Sequence, residues 1–328
     1  MGISINPALY PRRTGSGPEA MVLPVLKLVD DLKHELMTFE ACMCLCNLAT
    51  VEELRDRIVK DKGWRSLEMA LTSSNELVQR AAVETMSNLV AHDDIADKFT
   101  DPSATATKVF VGFCSSDDVK TQIAASGGIA TLSGVPEIAA SFLQANVLEP
   151  LVEIALIGEE AGCVHRAAVA LQRLLMAATE EMVGKKGAAT LPEHAMLALG
   201  ALSHLASTCR IAPANKAAKD ALAFLEAERP DVRPPPPELV AEAIKRLQEE
   251  HDRREREREA AEAEAAADEA AAKAEEEARK AKAEEKAKAA KAMAAGAGGG
   301  AGEAGSMAPV VEELGDDDDD DDDDGDVI

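Results

Sequence analysis

The chain has 328 residues, 60 of them acidic against 35 basic, a net charge of −25, and aromatic residues make up only 2%. With no basic surplus to displace counterions, binding to nucleic acid or to anionic membranes is disfavoured. No run of about 18 apolar residues offers a membrane span, the start lacks the pattern of a signal peptide, and Asn6 breaks the myristoylation pattern that Gly2 would open.

In chain order, residues 1–20 hold Pro7, Pro11, Gly15, Gly17 and Pro18 and read as a disordered leader. From Met21 the pattern is helical to residue 229, with no period-two strand. Every aromatic side chain lies before residue 225, so one apolar domain of about 200 residues followed by a polar extension is expected. Within the domain a segment recurs. TFEACMCLCNLAT at 38–50, VQRAAVETMSNLV at 78–90, KTQIAASGGIATL at 120–132 and VHRAAVALQRLL at 164–175 line up at offsets of 41, 43 and 43 residues. This is the period of armadillo and HEAT units. A second amphipathic piece follows each segment, at 52–63, 96–101, 137–147 and 180–187, so a helix–turn–helix unit is expected. Helices at 191–208 and 214–228 close the array. The fold class is therefore all-α, an armadillo/HEAT-like α-solenoid whose units bury their apolar faces by stacking.

Residues 230–237 (PDVRPPPP) predict an extended spacer. Residues 238–295 are nearly all Ala, Glu, Lys and Arg, with opposite charges three and four apart, and predict a long solvated single helix rather than a coiled coil. Residues 296–328 form a flexible Gly-rich and poly-Asp tail, its nine aspartates at 316–324 held apart by self-repulsion. Residues 238–328 carry a net −17 of the total charge.

The four ordered segments resemble the C-terminal part of the UCS-domain family of myosin chaperones, over about residues 21–230. The resemblance implies a non-enzymatic chaperone or co-chaperone that binds the myosin motor domain through an armadillo groove and assists its folding in the cytoplasm. Animal members also dock the 90-kDa heat-shock chaperone through a tetratricopeptide domain, which this sequence lacks. A generic armadillo adaptor for an extended peptide is the alternative reading.

The groove is expected along one stripe of the long helices. Glu40, Cys44 and Asn47 share a face at i, i+4, i+7. The repeat carries this stripe to Ala81, Thr85 and Asn88, then to Ala124, Gly128 and Thr131, then to Ala167, Leu171 and Leu174. Asn47 and Asn88 stand out because mid-helix asparagine is unfavourable unless its amide has work to do, either on a peptide backbone or on a loop inside the solenoid. Arg80 and Arg166 share a repeat position and can pair with client carboxylates or with the protein's own acids. The expected client-binding set is thus Glu40, Asn47, Arg80, Thr85, Asn88, Thr131 and Arg166. Cys42, Cys44 and Cys46 point about 200° apart in succession and do not converge on a metal ion. Neither a phosphate-cradling loop nor a G-x-S-x-G elbow is present, so no catalytic residues and no cofactor are expected.

Overall fold

The computed structural model describes residues 18–31, 33–186 and 191–296. The leader as far as residue 17 and the poly-Asp tail lie outside the described residues. A 3-10 turn at Pro18–Met21 occupies the end of the stretch assigned to the leader. Among the described residues every regular element is helical, and no single helix is long and apolar enough to cross a membrane.

The array is built on a row of long helices: α2 (Glu35–Leu48), α5 (Glu76–Leu89), α8 (Val119–Leu132), α11 (Ala161–Ala177) and α14 (Ala212–Glu228). Each packs on the next in order. Beside them runs a second row: α1 (Val22–Asp30), α4 (Gly63–Ala70), α7 (Thr105–Phe113), α10 (Leu148–Ile157) and α13 (Glu193–Thr208). Short helices α3 (Glu52–Lys60), α6 (Asp93–Ala96), α9 (Pro136–Gln144) and α12 (Thr179–Val183) connect the rows.

The unit therefore has three helices, not the two expected. The short helices fall where the second amphipathic piece was expected. Of the middle row, α13 was expected as the helix at 191–208, while α4, α7 and α10 were missed. α4 and α10 begin after sharp corners at Lys62 (φ 63°) and Asn146 (φ 61°). A left-handed residue turns the chain sharply between two helices that follow closely on one another. Gly63 makes the first corner possible: a Cβ there would stand 2.5 Å from Ile58 Cγ2 and 2.9 Å from its carbonyl oxygen.

Why the long helices form is legible locally. Asn75 Oδ1 caps α5 by accepting from the Leu77 amide at 3.0 Å. Asp118 caps α8 by accepting from the Thr121 amide at 2.9 Å. Such caps satisfy backbone donors that a helix start leaves open. The core behind the row is aliphatic, with Leu45, Leu89, Ile129 and Leu175 fully buried. Aromatic rings tie successive units together. Phe99 meets Trp64 edge-on at 5.9 Å and Phe110 edge-on at 5.1 Å, and lies 5.9 Å from Phe142.

The segment after α14 is not a free spacer. Arg229 is buried, pairs through Nε and Nη2 with the Asp231 carboxylate at 2.9 and 2.8 Å, and donates to the Gly184 carbonyl at 2.6 Å. Val232 is buried. A Cβ on Gly200 of α13 would stand 3.0 Å from Val240 and 3.1 Å from Pro235, so the missing side chain is what admits them. The helix that follows, α15 (Pro237–Gly296), opens with Val240 and Ala243 buried and Leu247 packed against the core. Arg254 pairs with Glu153 of α10. The start of the charged helix is thus an amphipathic extension of the array, a correction to the solvated helix expected from residue 238.

Residues to Glu255 form one compact unit and residues from Arg256 a second. In the second, the described side chains are exposed. They include i, i+4 pairs such as Arg258–Glu262 at 3.4 Å and Lys280–Glu276 at 2.6 Å, each worth a few tenths of a kcal/mol.

Two substitutions test this packing. Gly128→Ala places a Cβ 2.3 Å from the Phe110 ring and is expected to cost about 1–3 kcal/mol by overpacking. Phe99→Ala removes the hub of the aromatic chain and is expected to cost about 3–5 kcal/mol. Urea unfolding followed by circular dichroism measures both, and Phe99→Ala should lose more.

Candidate functional site

The long helices meet closely, and side chains of one donate to backbone carbonyls of the next. The Thr85 hydroxyl lies 2.7 Å from the Ala81 carbonyl and 3.0 Å from that of Cys42 on α2. Asn88 Nδ2 donates to the Cys46 carbonyl at 3.0 Å and contacts its sulfur at 3.3 Å. Ser87 donates to Ala124 on α8 at 2.8 Å. Arg173 on α11 donates to Ala130 at 2.6 Å. A carbonyl already in the helix ladder keeps a second lone pair for these bonds.

The stripe expected to line the groove is mostly this packing face. Ala81, Thr85, Ala124, Gly128, Ala167, Leu171 and Leu174 are all buried. Thr85 is fully buried with its hydroxyl engaged, so it is removed from the client-binding set. Asn88 borders the open pocket described below, but its amide nitrogen clasps α2. Asn47 at the same register is half-buried and donates to Met43 of its own helix at 2.9 Å. Both amide nitrogens thus bond inside the array, to helix carbonyls and not to the loop that the sequence offered as the alternative. Glu40 is half-buried on α2. Thr131 is exposed, and its hydroxyl turns back to the Gly127 carbonyl at 3.0 Å.

The open face lies one residue, about 100° of helix, away from that stripe. Between α5, α8 and α11 it forms a concave pocket of about 250 Å³. Cys46 and Asn88 stand at one end, Glu84 and Ser87 along one wall, Lys120 and Ile123 along the other, and Arg166 reaches in from α11. Of the expected set, the pocket brings together Asn88 and Arg166. Glu84, Lys120 and Ile123 were not expected there. The signal for them was present: Arg80, Ile123 and Arg166 occupy one register position, and Glu84 lies one turn beyond Arg80.

The two arginines sharing that position have different fates. Arg80 Nη1 pairs with Asp118 at 3.1 Å, so Asp118 both caps its own helix and ties two units together. Burial works against the Asp118 carboxylate, yet the Thr121 hydroxyl and amide and the Arg80 guanidinium together hold it below the usual carboxylate range. Arg166 has no salt bridge among the described residues; its Nη1 donates to the Gly162 carbonyl at 3.2 Å. Glu84 is half-buried, and burial raises its carboxyl against the lowering pull of Arg80 and Lys120.

The cysteines are buried or half-buried thiols. Burial, with a smaller push from Cys46, raises Cys42 to about 12. Burial and then the Glu84 charge raise Cys46 to about 11, against hydrogen bonds from Thr85 and Asn88. These values favour the protonated thiol at neutral pH.

Stacked three-helix units sharing a row of long helices make the molecule an armadillo-type α-solenoid. It is homologous to UNC-45 over part of its length: 31% identical to human UNC-45 homolog B over 114 residues, which is 34% of this chain and 12% of that protein. UNC-45 from Drosophila melanogaster has a similar structure, with a TM-score of 0.58 at 27% identity over 70% of this chain and 28% of that one. A second UNC-45 structure, of a chaperone described as binding and folding muscle myosin, matches with a TM-score of 0.53 at 20% identity, over 63% of this chain and 22% of that one. The chain thus spans about an eighth of the UNC-45 relative that it matches in sequence. No protein-family model matches it.

Two outcomes are expected from this geometry. Asp118→Ala removes a cap and an inter-unit ion pair and should cost about 1–2 kcal/mol, read as an earlier urea midpoint. Cys46 should be alkylated roughly a hundredfold more slowly than free cysteine at pH 8. Its rate should climb about tenfold per pH unit toward pH 10 and increase in Glu84→Gln, with peptide mass spectrometry as the readout.

Proposed function

We propose that this chain is a client-binding chaperone of the UCS type, acting by binding and not by catalysis, and that its client is a myosin motor domain. The reading is carried by its homology to UNC-45, in sequence and in fold together. The physical basis is the concave face over α5, α8 and α11. Helices packed at full density give it a rigid floor, and Ile123 and Cys46 give it apolar contact beside the charges of Glu84, Lys120 and Arg166. A partly folded chain segment, apolar with polar punctuation, is the kind of ligand such a surface holds while the rest of the client folds. A rigid groove also loses little conformational entropy on binding.

The test is heat-induced aggregation of a purified myosin motor domain followed by light scattering, with and without the full chain, beside an unrelated aggregating protein. Suppression selective for the motor domain is expected. Ile123→Lys, which puts a charge in the apolar part of the pocket, should weaken it severalfold without loss of helicity. Equal protection of both proteins would reduce the function to non-selective holding. No protection of either would overturn the proposal.

A further inference from the structure

Arg166 is seated in a way the other groove arginines are not. Its side chain crosses the backbone of Gly127 on α8, where a Cβ would stand 2.9 Å from Nε and 3.2 Å from Cδ. At its other end a Cβ on Gly162 would stand 3.3 Å from Nη1. Two glycines, one in each of two neighbouring units, thus leave the space the guanidinium fills. Arg80 has its charge answered by Asp118, and Arg173 caps carbonyls of α8. Arg166 makes one bond to a carbonyl and no salt bridge among the described residues; Glu160 Oε1 would stand 3.7 Å from the same Gly162 Cβ, nearby but not paired with it. It shares the pocket with Lys120, and the one carboxylate there, Glu84, is half-buried, a setting that disfavours its charge.

We propose that Arg166, with Lys120, is an anchor for the carboxylate of an acidic side chain in a polypeptide lying along the groove. This rests on reading the groove as a client-binding surface, and deepens it by naming the chemistry of the segment held there. A guanidinium fixed by packing presents paired N–H donors to a carboxylate at little cost in conformational freedom. Ile123 beside it supplies apolar contact for the methylenes of a Glu side chain. A doubly charged phosphate fits worse because Glu84 shares the pocket and would repel the second charge. A basic segment would meet two cations and one half-buried acid. Among the pocket-lining side chains two cations stand against one carboxylate, on a chain whose net charge is −25.

The experiment uses the full chain and three labelled peptides of one length: alternating Glu and Ser, the same with Gln for Glu, and the same with Lys. Fluorescence anisotropy at 150 mM salt reads affinity. The Glu peptide should bind at least about tenfold more tightly than the other two. Arg166→Gln should remove about tenfold of that affinity, and Arg166→Lys less, because an ammonium keeps the charge but loses the fork. Gly127→Val keeps the arginine but fills its seat and should weaken the Glu peptide similarly. Arg210→Gln, an exposed arginine outside the pocket, should change nothing. Circular dichroism confirms that each variant is folded.

Equal binding of the Glu and Gln peptides would overturn the proposal. So would undiminished binding by folded Arg166→Gln. The aspartates at 316–324 offer the same chemistry, so the titration is repeated with all nine replaced by Asn. A gain in Glu-peptide affinity that Arg166→Gln abolishes assigns the chain's own aspartates as a competing ligand of the same anchor. No gain assigns the anchor to a separate polypeptide. The outcome is separable from that for myosin. Motor-domain protection without acidic-peptide binding overturns the anchor alone, and acidic-peptide binding without protection overturns the chaperone reading alone.

Discussion

The close approach of consecutive long helices is the constraint on which the rest of the structure depends. It requires small or short side chains on one face: Ala81 and Thr85 on α5, Ala124 and Gly128 on α8, Ala167 on α11. At that distance a hydroxyl or amide on one helix reaches a carbonyl of the next, as Thr85, Ser87 and Asn88 do. Polar groups in such a contact would be costly unpaired. Each junction therefore couples a steric requirement to a directional one, and together they set the register between units. The aromatic chain through Phe99 does the same for the other two rows, by shape instead of hydrogen bonds.

Once the register is set, the open face follows. The helix face one residue round from the packing face cannot be buried by the same neighbour, and it gathers the side chains that have nowhere else to go. Arg80, Glu84, Lys120 and Arg166 lie there because they are long enough to reach solvent or one another. Which of them remain available is decided by neighbours across units. Asp118, needed as a helix cap, also neutralises Arg80. Arg166 makes no such pair among the described residues, and glycine at 127 and 162 lets it lie flat. Two residues equivalent in the repeat thus acquire different chemistry from residues about 40 positions away.

The far end of the array shows how composition conceals a boundary. Residues 238–255 have the Glu and Arg content of a solvated helix, yet Val240, Ala243 and Leu247 recur at helical spacing and dock on the array. Three apolar side chains decide the placement, because burial of apolar area outweighs exposed i, i+4 pairs. The proline run before them is held by the bidentate Arg229–Asp231 pair and by the space over Gly200, so its stiffness sets the entry of the helix. Among the described side chains from Arg256 onward no such stripe is buried, and the second unit begins.

The sequence by itself determined the all-α class, the period of the repeat, the row of long helices and the long charged helix. All of these follow from spacings along one chain: the 41- to 43-residue offsets, the 3.6-residue apolar period and the opposite charges three and four apart. It also placed Arg80 and Arg166 at one register position. The tertiary structure alone decided which face of each long helix packs and which is open. Two stripes one residue apart look alike in a helix rich in Ala, Cys, Ser and Thr, whose small side chains carry little hydropathic contrast. It also decided α4, α7 and α10 of the middle row, since a polar break such as residues 60–63 reads as the end of a unit and does not say that another helix follows. It decided, finally, that Thr85 is interior and Arg166 is not, because burial and ion pairing are properties of neighbours about 40 residues away, which local periodicity does not contain.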